Sequence, residues 1–175
     1  MIYCGIDPSI SCTGIAAVSV VDAANLKFEL VDKKSIKPRH GADRFSKKLD
    51  GLHLFKYANE NFDSLKNAEF YVFENYSYGS PGHLADLGEY TGLLKYCIHV
   101  MGKRFDTLAP TEVKKLITGK GNSKKDAVRA GLADYLVNFD SISWSNYDES
   151  DATAIAVAYG IKMLRIEAQN ESEKN

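Results

Sequence analysis

Four acidic residues stand at places where the chain changes character. Asp7 closes the apolar run Ile2–Ile6, and Glu74 closes the apolar run Phe70–Phe73. Asp148 and Asp151 open a segment that continues Ala152, Ala154, Ile155, Ala156, Ala158. A carboxylate at the end of a buried strand is most useful when something binds it. Several carboxylates in one cleft repel one another unless cations neutralise them. All-oxygen donors without a Cys/His cluster favour Mg²⁺ or Mn²⁺. Asp148 and Asp151 are three apart and share one face of a helix, while Glu149 points about 100° away. The plainer alternatives are a turn cap for Asp7 and a helix cap for Asp148, since acids at a helix start stabilise it by ~0.3–1 kcal/mol.

The elements that must bring these residues together can be read from periodicity. Ile2–Asp7 reads as a buried strand, because Pro8 fixes its own φ and pushes Asp7 toward extended geometry. Thr13–Val21 and Leu26–Ser35 read as two further strands, antiparallel to the first, with Asp22–Asn25 as the turn between them. Arg44–Phe62 reads as an amphipathic helix with Phe45, Leu49, Leu52, Phe55 and Tyr57 inward. Phe70–Phe73 and Phe105–Ala109 are short continuous apolar runs, expected as buried parallel strands. Asp7 and Glu74 would then lie side by side at the carboxyl edge, where open α/β sheets place ligands.

Between and after these strands lie four helical stretches. His83–Met101 carries Leu84, Leu87, Leu94 and Ile98 on one face, with Gly88 and Gly92 expected to permit close packing. Thr111–Ile117 follows Pro110. A basic helix spans Lys124–Leu136, with Ser123 as its cap. The last helix spans Asp148 to about Glu167. The expected organisation is one domain, residues 1–166, followed by a polar, disordered tail, 167–175.

The chain has 175 residues, 45% of them apolar, and a net charge of −1. No run of eighteen apolar residues predicts a membrane span. Cys4, Cys12 and Cys97 lack metal-ligand spacing and suit a reducing cytoplasm. Charge is distributed unevenly. Residues 102–129 hold eight Lys/Arg against three acids, a local balance of +5, and residues 140–175 balance at −4. A basic patch beside an acidic cluster suits a metal-dependent enzyme acting on a polyanion.

Taken in order, Gly5-Ile-Asp7-Pro-Ser…Thr13-Gly14, Phe73-Glu74, Leu87-Gly88, Val113-Lys114…Gly119-Lys-Gly-Asn-Ser-Lys-Lys125 and Asp148-Glu-Ser-Asp151-Ala resemble the RuvC family of Holliday-junction resolvases. The resemblance implies an α/β ribonuclease-H-like fold, with a five-stranded mixed sheet of three antiparallel strands then two parallel, flanked by helices. It also implies a homodimer, two Mg²⁺ per active site, and symmetric nicking of four-way DNA junctions to 5′-phosphate and 3′-hydroxyl ends. By motif position Asp7, Glu74, Asp148 and Asp151 are the metal ligands, Lys125 serves the scissile phosphate, and Lys114 binds DNA. Lys115, Lys120 and Lys124 fit flanking phosphates, and Tyr76 and Tyr78 fit stacking on unpaired bases.

The loop Tyr76-Ser-Tyr-Gly-Ser-Pro and the helix start Leu87-Gly-Glu-Tyr-Thr-Gly92 depart from the family pattern, which resembles a phage-borne or divergent member acting in a host cytoplasm. Two alternatives are another ribonuclease-H-like nuclease, acting on branched replication intermediates or RNA–DNA hybrid, and a junction-binding protein without cleavage. A third is an actin-like phosphotransferase or ATPase, suggested by Asp7…Thr13-Gly14.

Overall fold

The computed structural model describes residues 1–75 and 84–173. Five strands form one sheet: β1 (Ile2–Asp7), β2 (Thr13–Asp22), β3 (Lys27–Ile36), β4 (Phe70–Glu74) and β5 (Arg104–Leu108). Their order is β3-β2-β1-β4-β5. The first three strands are antiparallel neighbours, and β1–β4 and β4–β5 pair in parallel. This is the mixed sheet expected from the apolar runs.

Among the described residues, six α-helices cover the two faces: α1 (Arg44–Asn61), α2 (Asp63–Lys66), α3 (Leu84–Val100), α4 (Pro110–Thr118), α5 (Lys125–Gly131) and α6 (Tyr147–Ser172). On one face Phe55 of α1 and Tyr90, Leu94 and Ile98 of α3 pack against Cys4, Ile6, Tyr71 and Phe73. On the other, the small residues Ala152–Ala158 of α6, with Val113 and Ile117 of α4 and Val128 of α5, pack against Tyr3, Ala16, Val18 and Val72. No helix among the described residues is long and apolar enough to cross a membrane.

Several local expectations are corrected. Phe45 and Tyr57 are 64% and 60% exposed, whereas Lys48 is buried. Lys48 is held inside by two acids of α3: its ammonium lies 2.9 Å from Asp86 Oδ1 and also contacts Glu89. On α3, Leu94 and Ile98 face the sheet, so half of the apolar stripe is core, Leu84 and Leu87 are half-buried, and Gly92 opens onto solvent with nothing near it. Ser123 does not cap α5. Its hydroxyl is turned back to Thr118 Oγ1 and the Lys120 carbonyl, and Lys124 occupies the cap position. The basic helix ends at Gly131 and continues as a short 3₁₀ turn, Leu132–Asp134.

Helix α6 continues past Glu167 to Ser172, where a disordered tail is expected. Neither Gly nor Pro interrupts that stretch, and Glu, Ala and Gln are good helix formers.

The approach of α6 to the sheet is the tightest contact in the fold. A Cβ on Gly5 would stand 2.0 Å from the Ala152 carbonyl oxygen, and one on Gly14 would stand 2.0 Å from that of Asp148. Only glycine lets the helix backbone lie this low over β1 and β2. Gly5→Ala therefore forces α6 off the sheet and should lower stability by about 1–3 kcal/mol or more, read as a fall in the urea midpoint. An unchanged midpoint would show that α6 can ride higher without cost.

Candidate active site

Parallel pairing of β1 with β4 runs Tyr3↔Phe70 to Ile6↔Phe73, so Asp7 and Glu74 are the next positions on adjacent strand ends. The turn after Asp7 is tied down by Thr13. Its hydroxyl donates to the Ser9 carbonyl at 2.8 Å and accepts from the Ser9 N–H at 3.3 Å. The buried Tyr90 hydroxyl lies 3.1 Å from the same Thr13 oxygen, linking the turn to α3. Tyr90, read from the sequence as part of a departing helix start, is thus an inward-facing support of the site.

The first turn of α6 brings the other two acids. Asn146 caps the helix, its Oδ1 accepting from the Glu149 N–H at 3.0 Å. Asp148 is therefore not the cap. Glu149, 5% exposed, turns away from its acidic neighbours. It accepts from Lys33 Nζ at 2.5 Å, the Ser145 N–H at 3.0 Å and Ser35 Oγ at 3.4 Å. Asn146 Nδ2 completes the network by donating to Ser35 Oγ at 2.8 Å. Burial alone raises the Glu149 carboxyl, but Lys33 and the Ser145 N–H outweigh it and hold the carboxyl below its usual range. The network pins the start of α6 to β3. The sequence signal for it was the pair Asn146-x-x-Glu149, a capping-box spacing. Lys33 and Ser35 share a strand face but carry no local hint that Glu149 sits opposite.

With α6 so placed, Asp148 and Asp151 flank Asp7 from opposite sides. The Asp148 carbonyl lies over Gly14, the residue paired with Asp7 on β2; burial, and then the Asp148 carboxylate, raises the Cys12 thiol. Asp151 lines a cavity of about 240 Å³ together with Glu74, Lys114 and Lys125. Lys125 is bonded to Asp151. Burial first, then the charges of Glu74 and Asp151, push the Asp7 carboxyl up to about 8, with Lys125 opposing and Asp148 adding. Glu74 is raised for the same reasons, burial before Asp151, against Lys125 and Lys114.

The expected lysines separate into two groups. Lys114 and Lys125 face the cavity, whereas Lys115, Lys120 and Lys124 stand exposed on α4 and the turn that follows it. Tyr76 and Tyr78 lie outside the described residues. Among the described residues, no three acids close around a single point as a finished metal cage. The donor set still fits a hard divalent cation. It is oxygen-only, and among the described residues lining the cavity Lys114 and Lys125 are the ammonium groups that offset its mutual repulsion.

A sheet of this order, carrying carboxylates on the ends of its central strands and on the helix above them, defines a protein of the ribonuclease-H-like class. The family model described as Crossover junction endodeoxyribonuclease RuvC matches residues 3–159, and the chain belongs to that family. It is 30% identical to the RuvC of Ehrlichia ruminantium (strain Welgevonden) over 168 residues, covering 90% of this chain and 96% of that one. It is 29% identical to the RuvC of Bdellovibrio bacteriovorus over 167 residues, covering 94% and 93%.

Among solved structures, Thermus thermophilus RuvC in complex with a Holliday junction substrate matches the fold with a TM-score of 0.78 at 20% identity, covering 94% of this chain and 96% of that chain. The yeast mitochondrial Holliday junction resolvase matches with a TM-score of 0.68 at 15% identity, covering 98% and 85%.

The raised Asp7 carboxyl has a sign that can be tested. Without metal, burial and the neighbouring acids raise the Asp7 carboxyl to about 8 in the folded protein, while an unfolded chain releases the proton at the ordinary aspartate value of about 4. The native state binds more protons across that window, so stability falls as pH rises through it. In EDTA the melting temperature should drop between pH 5 and pH 8, and Asp7→Asn should remove most of that drop. Parallel profiles for the two proteins would show that Asp7 is not the group.

Proposed function

We propose that the protein is a divalent-cation-dependent endonuclease that resolves four-way DNA junctions by paired nicks in opposing strands. One observation carries the reading: four carboxylates from three elements share one strand-end edge, beside the lysines Lys114 and Lys125. Membership of the RuvC family supports it, and removes the actin-like alternative.

Asp7, Glu74, Asp148 and Asp151 would hold two Mg²⁺ ions, with Mn²⁺ able to substitute. Asp7 would contribute from the middle of this set, with Asp148 over Gly14 of β2 and Glu74 and Asp151 lining the cavity at the end of β4. When bound, such a pair of cations activates a water and stabilises the departing 3′ oxygen. The chain's own groups account for the rest. Asp7 gives up its proton, which burial and its acidic neighbours otherwise make it retain. Lys125 leaves Asp151 and sets its ammonium against the scissile phosphate, where it offsets developing negative charge. Lys114 holds the next phosphate from the opposite wall of the cavity. Lys115, Lys120 and Lys124 bind flanking phosphates, a contribution that weakens steeply with salt. Breaking the bond from phosphorus to the 3′ oxygen leaves a 5′-phosphate and a 3′-hydroxyl.

The test is cleavage of a mobile four-way junction beside flap, Y-fork and RNA–DNA hybrid substrates. Wild type with Mg²⁺ should cut the junction in paired nicks. Asp7→Asn should bind it nearly as well and cut at least 100-fold more slowly. Cleavage confined to flaps or hybrid, or robust cleavage in EDTA, would overturn the reading.

Paired nicks need two active sites, and a twofold dimer is the commonest arrangement. With Leu94 and Ile98 committed to the core, the outer face of α1 and α3 is the proposed interface. It exposes Phe45, Leu54, Tyr57, Tyr96 and Val100 to between 40% and 67%. Tyr96→Glu should shift sedimentation toward monomer and convert paired nicks into single nicks. An undisturbed dimer would place the interface elsewhere.

A further inference from the structure

A second cavity, of about 360 Å³, opens beside the turn that follows Asp7. It lies on the α1–α3 face of the sheet, opposite the cavity of Glu74 and Lys125. Pro8, the residue next to Asp7, forms part of its wall, with Ile10 and Leu87 as the other apolar surfaces. Ser9, Ser11, Arg44 and Lys47 supply the polar lining.

The charges around this cavity do not balance internally. Three cations stand at the start of α1. Arg44 is paired with Asp86 at 2.7 Å, and Lys48 with Asp86 and Glu89. Lys47 is half-buried at the cavity wall, and among the described residues its ammonium has no ion pair or side-chain hydrogen bond. Opposite it, Ser9 Oγ and Ser11 Oγ share one hydrogen bond at 3.0 Å, so one hydroxyl proton remains free to donate. Ser9 is held in place by its two backbone bonds to Thr13. An uncompensated ammonium and a free hydroxyl donor suit an anion. Three apolar walls beside them suit a flat, uncharged group attached to that anion.

We propose that this cavity takes one unpaired nucleotide of the DNA strand that crosses the metal site, as a feature of the nuclease reading above. Its phosphate rests on Lys47 and the serine hydroxyls, and its base lies against Pro8, Ile10 and Leu87. The volume is at the small end of the range for ligand sites, roughly 300–1,000 Å³. A base held in a duplex cannot reach such a wall without leaving its stack. That costs a few kcal/mol, and least where pairing is already broken, as at a strand crossover. The pocket therefore selects branched DNA at a position one residue from Asp7, without reading sequence.

The experiment uses the Asp7→Asn protein, which holds DNA uncut, with junctions carrying 2-aminopurine either beside the scissile phosphate or within an arm. Binding should brighten the crossover probe several-fold and leave the arm probe unchanged. Ile10→Trp, which fills the cavity from a half-buried position in its wall, should abolish that brightening while linear-duplex binding stays the same. Lys47→Gln should lower the slope of log K against log salt by about one on junctions and not on duplex. Brightening that survives Ile10→Trp, with Lys47→Gln indistinguishable on the two substrates, overturns the pocket while the nuclease reading stands. Failure of the unsubstituted enzyme to cut junctions with Mg²⁺ overturns both.

Discussion

The contact on which the rest of the molecule depends is between backbone and backbone. Helix α6 lies so low over β1 and β2 that its carbonyls occupy the space above Gly5 and Gly14 that side chains would otherwise fill. Everything chemical follows from that height. Raised by the thickness of a methyl group, Asp148 and Asp151 would stand farther from Asp7 and couple to it more weakly. The residues that make the approach possible are small on both sides: two glycines below, and Ala152 and Ala156 above. Lateral position is set separately, by Lys33 and Ser35 of β3 gripping Glu149 and Asn146.

That close placement has an electrostatic cost, and the chain distributes it. Carboxylates brought together without enough counter-charge shift toward their neutral forms. Asp7, the most central, is raised first by its burial and then by the charges of Glu74 and Asp151. Lys125 and Lys114 offset part of the repulsion from the α4–α5 side. Glu149, one residue from Asp148, escapes it by pairing with Lys33. The acidic run Asp148-Glu149-Ser150-Asp151 is thus two systems interleaved on one helix: one faces the sheet end, the other ties the helix down.

The strands and the four acids were legible in the sequence because each is marked locally. Apolar runs end in a carboxylate, and proline sets the backbone at Asp7 and at the start of α4. What was not legible depends on distant partners. Lys48 reads as a surface residue until Asp86 and Glu89, some forty positions later, fold over it. Tyr90, which in the sequence only marks a departure from the family pattern, faces inward because Gly51 leaves room for its ring and Thr13 meets its hydroxyl. Helix α2 is four residues long, too short for periodicity to reveal. The extension of α6 to Ser172 was missed because polar composition was weighed over helix propensity. The division of the lysines between cavity and surface is a three-dimensional fact with no counterpart in spacing.

The clasp on the first turn has a consequence for motion. Thr13 closes the loop after Asp7 through both polar groups of Ser9, and Tyr90 anchors that clasp to a helix in the opposite layer. A loop so fastened gives up its conformational entropy when the chain folds, not when substrate arrives. The Ser9 amide then opens only when this clasp loosens, so its proton should exchange with solvent far more slowly than that of the exposed Ser11. A fastened loop and an acidic strand end are thus neighbours, and a helix that carries none of the four carboxylates helps to hold them in register.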